Sequence, residues 1–279
     1  KEVKEIPRIP SSLLEIASQD PPPRLQELIG GVYLEMAGLL GKRTAELHVA
    51  LSFQGRIPAF APEPFSLLYQ RSLYQSMQSL TKRVFGMLKK LVPSFNKDLK
   101  QQGREVLSCE KAILERFQGL LREKITATKT RIHGDYHLGQ VLFTGNDFVI
   151  IDFEGEPARA LSERRLKRSP LRDVAGMIRS FHYAAYAALF KQALHNPDDV
   201  QNLEAWAELW YQCAAGAFLK SYLDSLKATD LLPKEERSLA LLLRTLLLEK
   251  AIYELGYELN NRPEWIAIPL KGIKYLLQG

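Results

Sequence analysis

The sequence is short of sulfur, of long apolar runs and of one-sided charge, and each shortage closes off a class of protein. Cysteine occurs only at Cys109 and Cys213, too few and too far apart for a disulfide framework or a cysteine-built zinc site, and a reducing cytoplasm fits that usage. No window approaches the ~18 uninterrupted apolar residues of a membrane helix. No charged-then-apolar leader opens the chain, so neither a membrane span nor a secretion signal is read. Lys and Arg total 38 against 32 Asp and Glu, a net charge of only +6. The densest basic run, Arg164, Arg165, Lys167 and Arg168, has no interleaved aromatics and no nucleic-acid motif beside it. It reads as a solvated face or a phosphate contact rather than a nucleic-acid site. An initiating Met is also missing, which suggests a piece excised from something longer.

What is present is an ordinary globular composition, 46% apolar over 279 residues, enough for one large domain or two small ones. Pro7, Pro10, Pro21, Pro22 and Pro23 mark residues 1–23 as a linker, with at most a short helix near Leu13 to Ala17. One body is expected over residues 24–279. Apolar residues three, four and seven apart predict a long helix from Arg24 to Leu51, whose His48 reads as a packed helix-end residue. Further helices are predicted over Ser66 to Leu91, Val106 to Lys124, onward from Ser169-Pro170, over Leu203 to Asp224 and over Glu235 to Asn260. Gly55 to Pro64 reads as a loop, and Ala158 to Ser169 as a polar, basic and mobile segment. The expected class is mainly α, a helical bundle with one small β-hairpin.

That hairpin lies where chemistry concentrates. Val141-Leu142-Phe143 and Phe148-Val149-Ile150-Ile151 flank the turn-prone Thr144-Gly145-Asn146-Asp147. Antiparallel pairing brings Asp135 and Gln140, before the first strand, to the same end as Asp152, which closes the second. An Asp, an amide five residues on, then a strand ending in Asp-Phe is the layout of a kinase catalytic loop and metal-binding loop. In that layout Asp135 orients the attacking hydroxyl and takes its proton, while Gln140 and Asp152 offer oxygen ligands to magnesium on the phosphates of ATP. A structural Asp pair in an ordinary hairpin is the alternative.

A second constellation sits on the last long helix. Lys250, Tyr253, Glu254 and Tyr257 continue at helical spacing the face begun by Leu239, Leu243 and Leu246, while Leu247, Ala251, Ile252 and Leu255 keep the other side apolar. A solvated face explains this pattern. Two phenols beside a cation and an anion also offer what a sugar needs, ring faces for its C–H surface and partners for its hydroxyls. Trp206 and Trp210 read as core anchors more than as sugar platforms.

His133-Gly134-Asp135-Tyr136-His137-Leu138-Gly139-Gln140 and Asp152-Phe153-Glu154-Gly155-Glu156-Pro157 resemble the loops of the aminoglycoside phosphotransferase-like kinases. Within that superfamily they are similar to the maltokinase subgroup. Gln140 stands where most relatives have Asn, and Glu154 where protein kinases have Gly. Leu248-Glu249-Lys250-Ala251-Ile252-Tyr253-Glu254-Leu255-Gly256-Tyr257-Glu258, continued by Asn261-Arg262-Pro263, resembles the maltose-binding helix of that subgroup. The resemblance implies a kinase-like C-lobe with Asp135 catalytic, Gln140 and Asp152 on magnesium, and Lys250, Tyr253, Glu254 and Tyr257 on maltose. His133, Glu154 and Asp173 take supporting roles, Asp173 bracing the catalytic loop. It further implies ATP as co-substrate, maltose 1-phosphate as product, and trehalose synthase as a fused or associated partner.

A whole kinase also needs a nucleotide-covering lobe with a Gly-rich loop and a paired Lys. Gly30-Gly31 and Gly38 to Gly41 lie inside a helical pattern and fit neither that loop nor the Walker motif. The nucleotide lobe is therefore expected to be absent and this chain alone to be nearly inactive. Three other readings stay open. One is a kinase for a different small acceptor, such as an amino alcohol or aminoglycoside. The second is a metal hydrolase using His133, Asp135, His137 and Asp152, and the third is a non-catalytic module of a fusion protein.

Overall fold

The computed structural model describes residues 7, 9–10, 12–52, 57–193 and 200–278. In chain order its helices and strands are α1 (Leu13–Ala17), α2 (Pro23–Ile29), α3 (Gly31–Leu51), β1 (Glu63–Pro64), α4 (Leu67–Leu91), α5 (Lys97–Ser108) and α6 (Glu110–Gln118). There follow β2 (Thr128–Lys129), β3 (Val141–Phe143), β4 (Phe148–Ile150), α7 (Leu161–Arg164), α8 (Leu171–Ala193), α9 (Val200–Leu226), α10 (Glu236–Asn261) and α11 (Ala267–Gln278). The fold is mainly α, as the helical periodicity predicts. Its strands form two short antiparallel pairs, β1 with β2, and β3 with β4 in the register Val141–Ile150, Leu142–Val149, Phe143–Phe148. Among the described residues no helix is long and apolar enough to cross a membrane.

Contacts divide the chain into two compact units. One comprises Lys1–Pro62 and Thr130–Thr229, the other Glu63–Lys129 and Asp230–Gly279. The first is built on α9, against which α1, α3 and α8 all pack. Its buried side chains include Leu40 and Ala45 of α3, Leu171, Val174 and Ile178 of α8, and Phe218 and Leu219 of α9. Trp206 joins Leu25, Leu34, Leu209 and Cys213 in an apolar cluster, and Trp210 sets its ring edge against Phe181. Both indoles thus have packing partners in the core. The second unit packs α4 against α6 and α10, burying Met77, Val84, Leu88, Ile113, Phe117, Leu247, Ile252 and Leu255. Removing such apolar surface from water is the main stabilising term, ~25 cal/mol per Å².

The structure corrects several element boundaries. The predicted helix Arg24 to Leu51 is two helices, because Gly30 turns at φ +90°, a left-handed geometry that an L side chain rarely takes. The predicted Val106 to Lys124 helix begins earlier and breaks. Asn96 caps α5 by accepting the Leu99 N–H at 2.9 Å, and the chain bends at Cys109 before α6. In the predicted loop Gly55 to Pro64, residues 55–56 lie outside the described ones, while Glu63 and Pro64 pair as β1. The segment expected to be mobile contains α7 and is tied to its unit. Arg164 donates to the carbonyls of Arg159 and Pro157, and Arg168 forms a backbone bridge to Thr130. Helix α11 was not anticipated; Pro269 lies in its first turn, where its missing N–H costs least.

Candidate active site

The β3–β4 hairpin brings its two predicted ligands together. The Ile151 N–H donates to the Gln140 carbonyl at 3.0 Å, which closes the open end of the hairpin. Gln140 Nε2 then donates to Asp152 Oδ2 at 3.0 Å. Asp152 has φ +63°, in the left-handed region that costs a non-glycine residue of order 1–3 kcal/mol and that clusters at functional sites. Gly134 and Gly155 also take positive φ, 88° and 75°, and their backbones meet where the two loops touch. Asp135 sits on the first loop with its carboxyl 18% exposed, and His137 Nε2 lies 4.0 Å from its Oδ2. Glu154 is exposed on the second loop and Glu156 half-buried.

Buried polar groups hold the first loop. Asp173, 2% exposed, accepts the backbone N–H of His133 at 2.7 Å and of Gly134 at 2.9 Å. Its Oδ2 also meets His48 Nε2 at 3.1 Å, and His48 Nδ1 meets the Tyr222 hydroxyl at 2.9 Å. A carboxylate only accepts, so in the neutral imidazole Nε2 donates to Asp173 and Nδ1 accepts from Tyr222. Burial, with the charge of Asp173 added, holds the Tyr222 phenol well above its ordinary range, which keeps it a donor. Tyr136 is buried too, and burial raises its phenol. Its O–H donates to Thr44 Oγ1 at 2.8 Å, since Thr44 spends its own proton on the Leu40 carbonyl at 2.7 Å.

Helix α8 serves this loop along one face. Asp173, Gly176 and Ser180 fall three and four residues apart. Asp173 takes the two N–H groups, and Ser180 Oγ accepts the Leu138 N–H at 2.8 Å. At Gly176 a Cβ would stand 2.5 Å from the Tyr136 carbonyl oxygen, so only glycine admits the loop this close. The sequence carried this stripe, but its meaning needs the loop to be placed against it.

His133 completes the join between the loops. Its Nε2 donates to the Ile151 carbonyl at 2.8 Å, its Nδ1 faces the Asp135 N–H at 3.4 Å, and its ring lies between Tyr136 and Phe153. With both nitrogens turned to the backbone, it is a poor metal ligand, which weakens the hydrolase reading. Among the described residues no three His, Cys, Asp or Glu side chains converge to hold a metal by themselves. Gln140 and Asp152 do fit magnesium in chemistry, since rotating the amide presents Oε1 beside the carboxylate. Two hard oxygens from protein, with phosphate and water for the rest, is the usual magnesium set. The distal end of the hairpin is anchored as well, by Arg43 of α3 reaching both Asp147 oxygens at 2.8 Å. The Arg43 guanidinium, with the Phe148 N–H, holds the Asp147 carboxyl below its ordinary range.

The other predicted constellation belongs to the second unit. On α10, Leu247, Ala251, Ile252 and Leu255 are buried, while Lys250, Tyr253 and Glu254 are half-buried and Tyr257 is 45% exposed. Lys250 Nζ stands 5.0 Å from the centroid of the Tyr253 ring. The sequence motif reached Arg262 without giving it a role and did not reach Trp265; Arg262 lies 5.3 Å from the ring centres of both Tyr257 and Trp265. Two cavities, of about 560 Å³ beside Leu25 and Cys213 and about 620 Å³ beside Arg116 and Arg244, contain none of these site residues.

An Asp-bearing loop braced from the following helix, closed against a hairpin that ends in an amide–carboxylate pair, is the layout of a phosphotransferase catalytic lobe. The chain belongs to the phosphotransferase enzyme family abbreviated APH, whose family profile spans residues 32–209. It is similar to a glucosamine kinase of Streptacidiphilus jiangxiensis, 25% identical over 238 residues, or 84% of this chain and 47% of that protein. It is also similar to a glucosamine kinase of Mycolicibacterium smegmatis (strain ATCC 700084 / mc(2)155), 29% identical over 181 residues, or 62% and 41% of the two chains. The chain thus spans about half the length of the curated relatives it matches. Among solved structures, glucosamine kinase in crystal form B superposes with a TM-score of 0.72 at 21% identity, covering 91% of this chain and 54% of that one. Glucosamine kinase in complex with glucosamine, ADP and inorganic phosphate gives 0.71 at 22% identity, covering 88% and 52%. At such identities these likenesses concern the fold.

Proposed function

We propose that the protein carrying this chain is an ATP-dependent sugar kinase that phosphorylates the anomeric hydroxyl of maltose, giving maltose 1-phosphate. Asp135 orients that hydroxyl and accepts its proton, while Asp173, through the His133 and Gly134 amides, fixes where Asp135 points. Gln140 and Asp152 would hold magnesium, which when bound would offset the charge of the phosphates. Lys250, Tyr253, Glu254 and Tyr257 receive the acceptor. The observation that carries the phosphotransfer reading is the closure of Gln140 on Asp152 at the end of the hairpin whose entry loop carries Asp135. The acceptor reading rests on the likeness of residues 248–258 to the maltokinase helix and on the half-exposed phenols of α10. A cytoplasmic setting and trehalose synthase as a fused or associated source of maltose belong to the same reading.

The names of the two curated relatives favour a second acceptor, glucosamine. Its ammonium would sit near the cation Lys250 but also near the anion Glu254, and Lys250 beside two phenols favours an uncharged sugar. Phosphorus NMR of product mixtures separates the two. Maltose and ATP are expected to give an anomeric phosphate resonance while glucosamine stays unreacted; phosphorylation of glucosamine with maltose untouched would replace the maltose reading.

A further inference from the structure

The end of α10 carries an arrangement that a merely solvated face does not require. Glu258 is 1% exposed at its side chain, and its carboxylate receives Arg262 as a two-pronged pair, from Nε at 2.9 Å and from Nη2 at 2.6 Å. A buried carboxylate demands its partner, and the rigid guanidinium fork meets it in only one orientation. That orientation places the cation 5.3 Å from the ring centres of Tyr257 and Trp265 alike, within the range at which a cation attracts an aromatic face. Buried Glu258 therefore sets Arg262, and Arg262 sets two aromatic rings at the surface.

Lys250 and Tyr257 are seven residues apart, about 10 Å along the helix, and Trp265 continues the row through the turn Pro263–Trp265. The row has two aromatic–cation stations, Lys250 with Tyr253 and Arg262 with Tyr257 and Trp265. One pyranose ring covers one station. An acceptor of two linked rings covers both.

We propose that Arg262 is a positioning residue for acceptor recognition: held by Glu258, it aligns Tyr257 and Trp265 as the platform for one ring of a disaccharide, the other ring lying on the Lys250–Tyr253 station. This rests on the sugar-acceptor reading above and adds to it the residues that measure acceptor length. Lysine in place of Arg262 keeps the charge but not the fork.

The test is calorimetric titration of the protein with maltose and with glucose, in wild type, Arg262→Lys and Trp265→Ala, with thermal melting of each variant alongside. Wild type is expected to prefer maltose. Both variants should lose about ten-fold of that preference, because glucose keeps the intact Lys250–Tyr253 station while maltose loses one of the two it spans. Equal weakening of both sugars, or an unchanged preference in either variant, overturns the proposal while leaving the sugar kinase reading in place. If wild type fails to bind maltose at all, the disaccharide reading fails, and this inference with it.

Discussion

At the residue scale, Asp173 illustrates how a buried carboxylate can hold a candidate site's loop in place. Both its oxygens accept backbone N–H groups, and one also accepts His48. An amide at this position has one acceptor oxygen and turns its NH₂ toward a donor. Asp173→Asn should cost about 2–3 kcal/mol of stability in urea titration, and phosphotransfer should fall with it because the Asp135 loop loses its brace. Full activity in Asp173→Asn would show that the brace is dispensable. Cys213 gives a pH-dependent case. Burial pushes its thiol up to about 11 from an ordinary 9.0, so between these values the folded chain keeps a proton that the unfolded chain releases. Stability should therefore fall as pH rises from 9 toward 11, by up to about 2–3 kcal/mol from this group. Replacing Cys213 by Ala should flatten that part of the curve. At pH 8 a thiol reagent should modify the half-exposed Cys109 and leave Cys213 unreacted until denaturant is added.

At the scale of elements, glycines in two helices should respond in opposite ways to the same substitution. In α8, Gly176→Ala drives a methyl group against the Tyr136 carbonyl oxygen, and the loop or the helix must move. A loss of about 1–3 kcal/mol is expected, together with lowered activity, since the displaced backbone adjoins Asp135. In α4, a Cβ at Gly86 meets nothing within 4 Å, so Gly86→Ala should add about 0.5–1 kcal/mol through helix propensity alone. Denaturant titration of the two variants checks both signs. The same contrast shows what the sequence could disclose. Hairpin β3–β4 was legible because its residues carry both the strand pattern and the turn, a local signal. Helix α5 began unnoticed because its start depends on the Asn96 cap and its only buried apolar side chain is Val106. The periodic residues on either side of Gly30 concealed the break there, since α2 and α3 each keep helical spacing. Asp173, Gly176 and Ser180 share an obvious face, yet their partners lie about forty residues away in the 133–138 loop, a pairing that no local pattern encodes.

For the molecule as a whole, the residues assigned to phosphoryl transfer and those assigned to the acceptor belong to different units. His133, Asp135, Gln140, Asp152 and Asp173 lie in the unit formed by Lys1–Pro62 and Thr130–Thr229, while Lys250, Tyr253, Glu254 and Tyr257 lie in the other. The sequence suggested both candidate sets but not the division, because each unit is assembled from two separate stretches of chain and only long-range contacts define it. Each set has its own support, Asp173 and His48 in one case, the packed side of α10 and the Glu258–Arg262 pair in the other. Mutations in the two sets should therefore separate chemistry from recognition. In the protein carrying this chain, Asp135→Ala should lower kcat at least about 100-fold through loss of the proposed proton acceptor, while the maltose Kd stays within about two-fold. Tyr257→Ala should instead raise the maltose Kd about ten-fold, while slow ATP hydrolysis measured without acceptor is unchanged, because Gln140 and Asp152, the residues proposed to hold magnesium, lie in the other unit. Stopped-flow turnover and calorimetry on the two variants give both readouts. If Asp135→Ala abolished maltose binding, or Tyr257→Ala abolished acceptor-free hydrolysis, the two sets would be acting as one coupled site and the assignment of separate roles would fail.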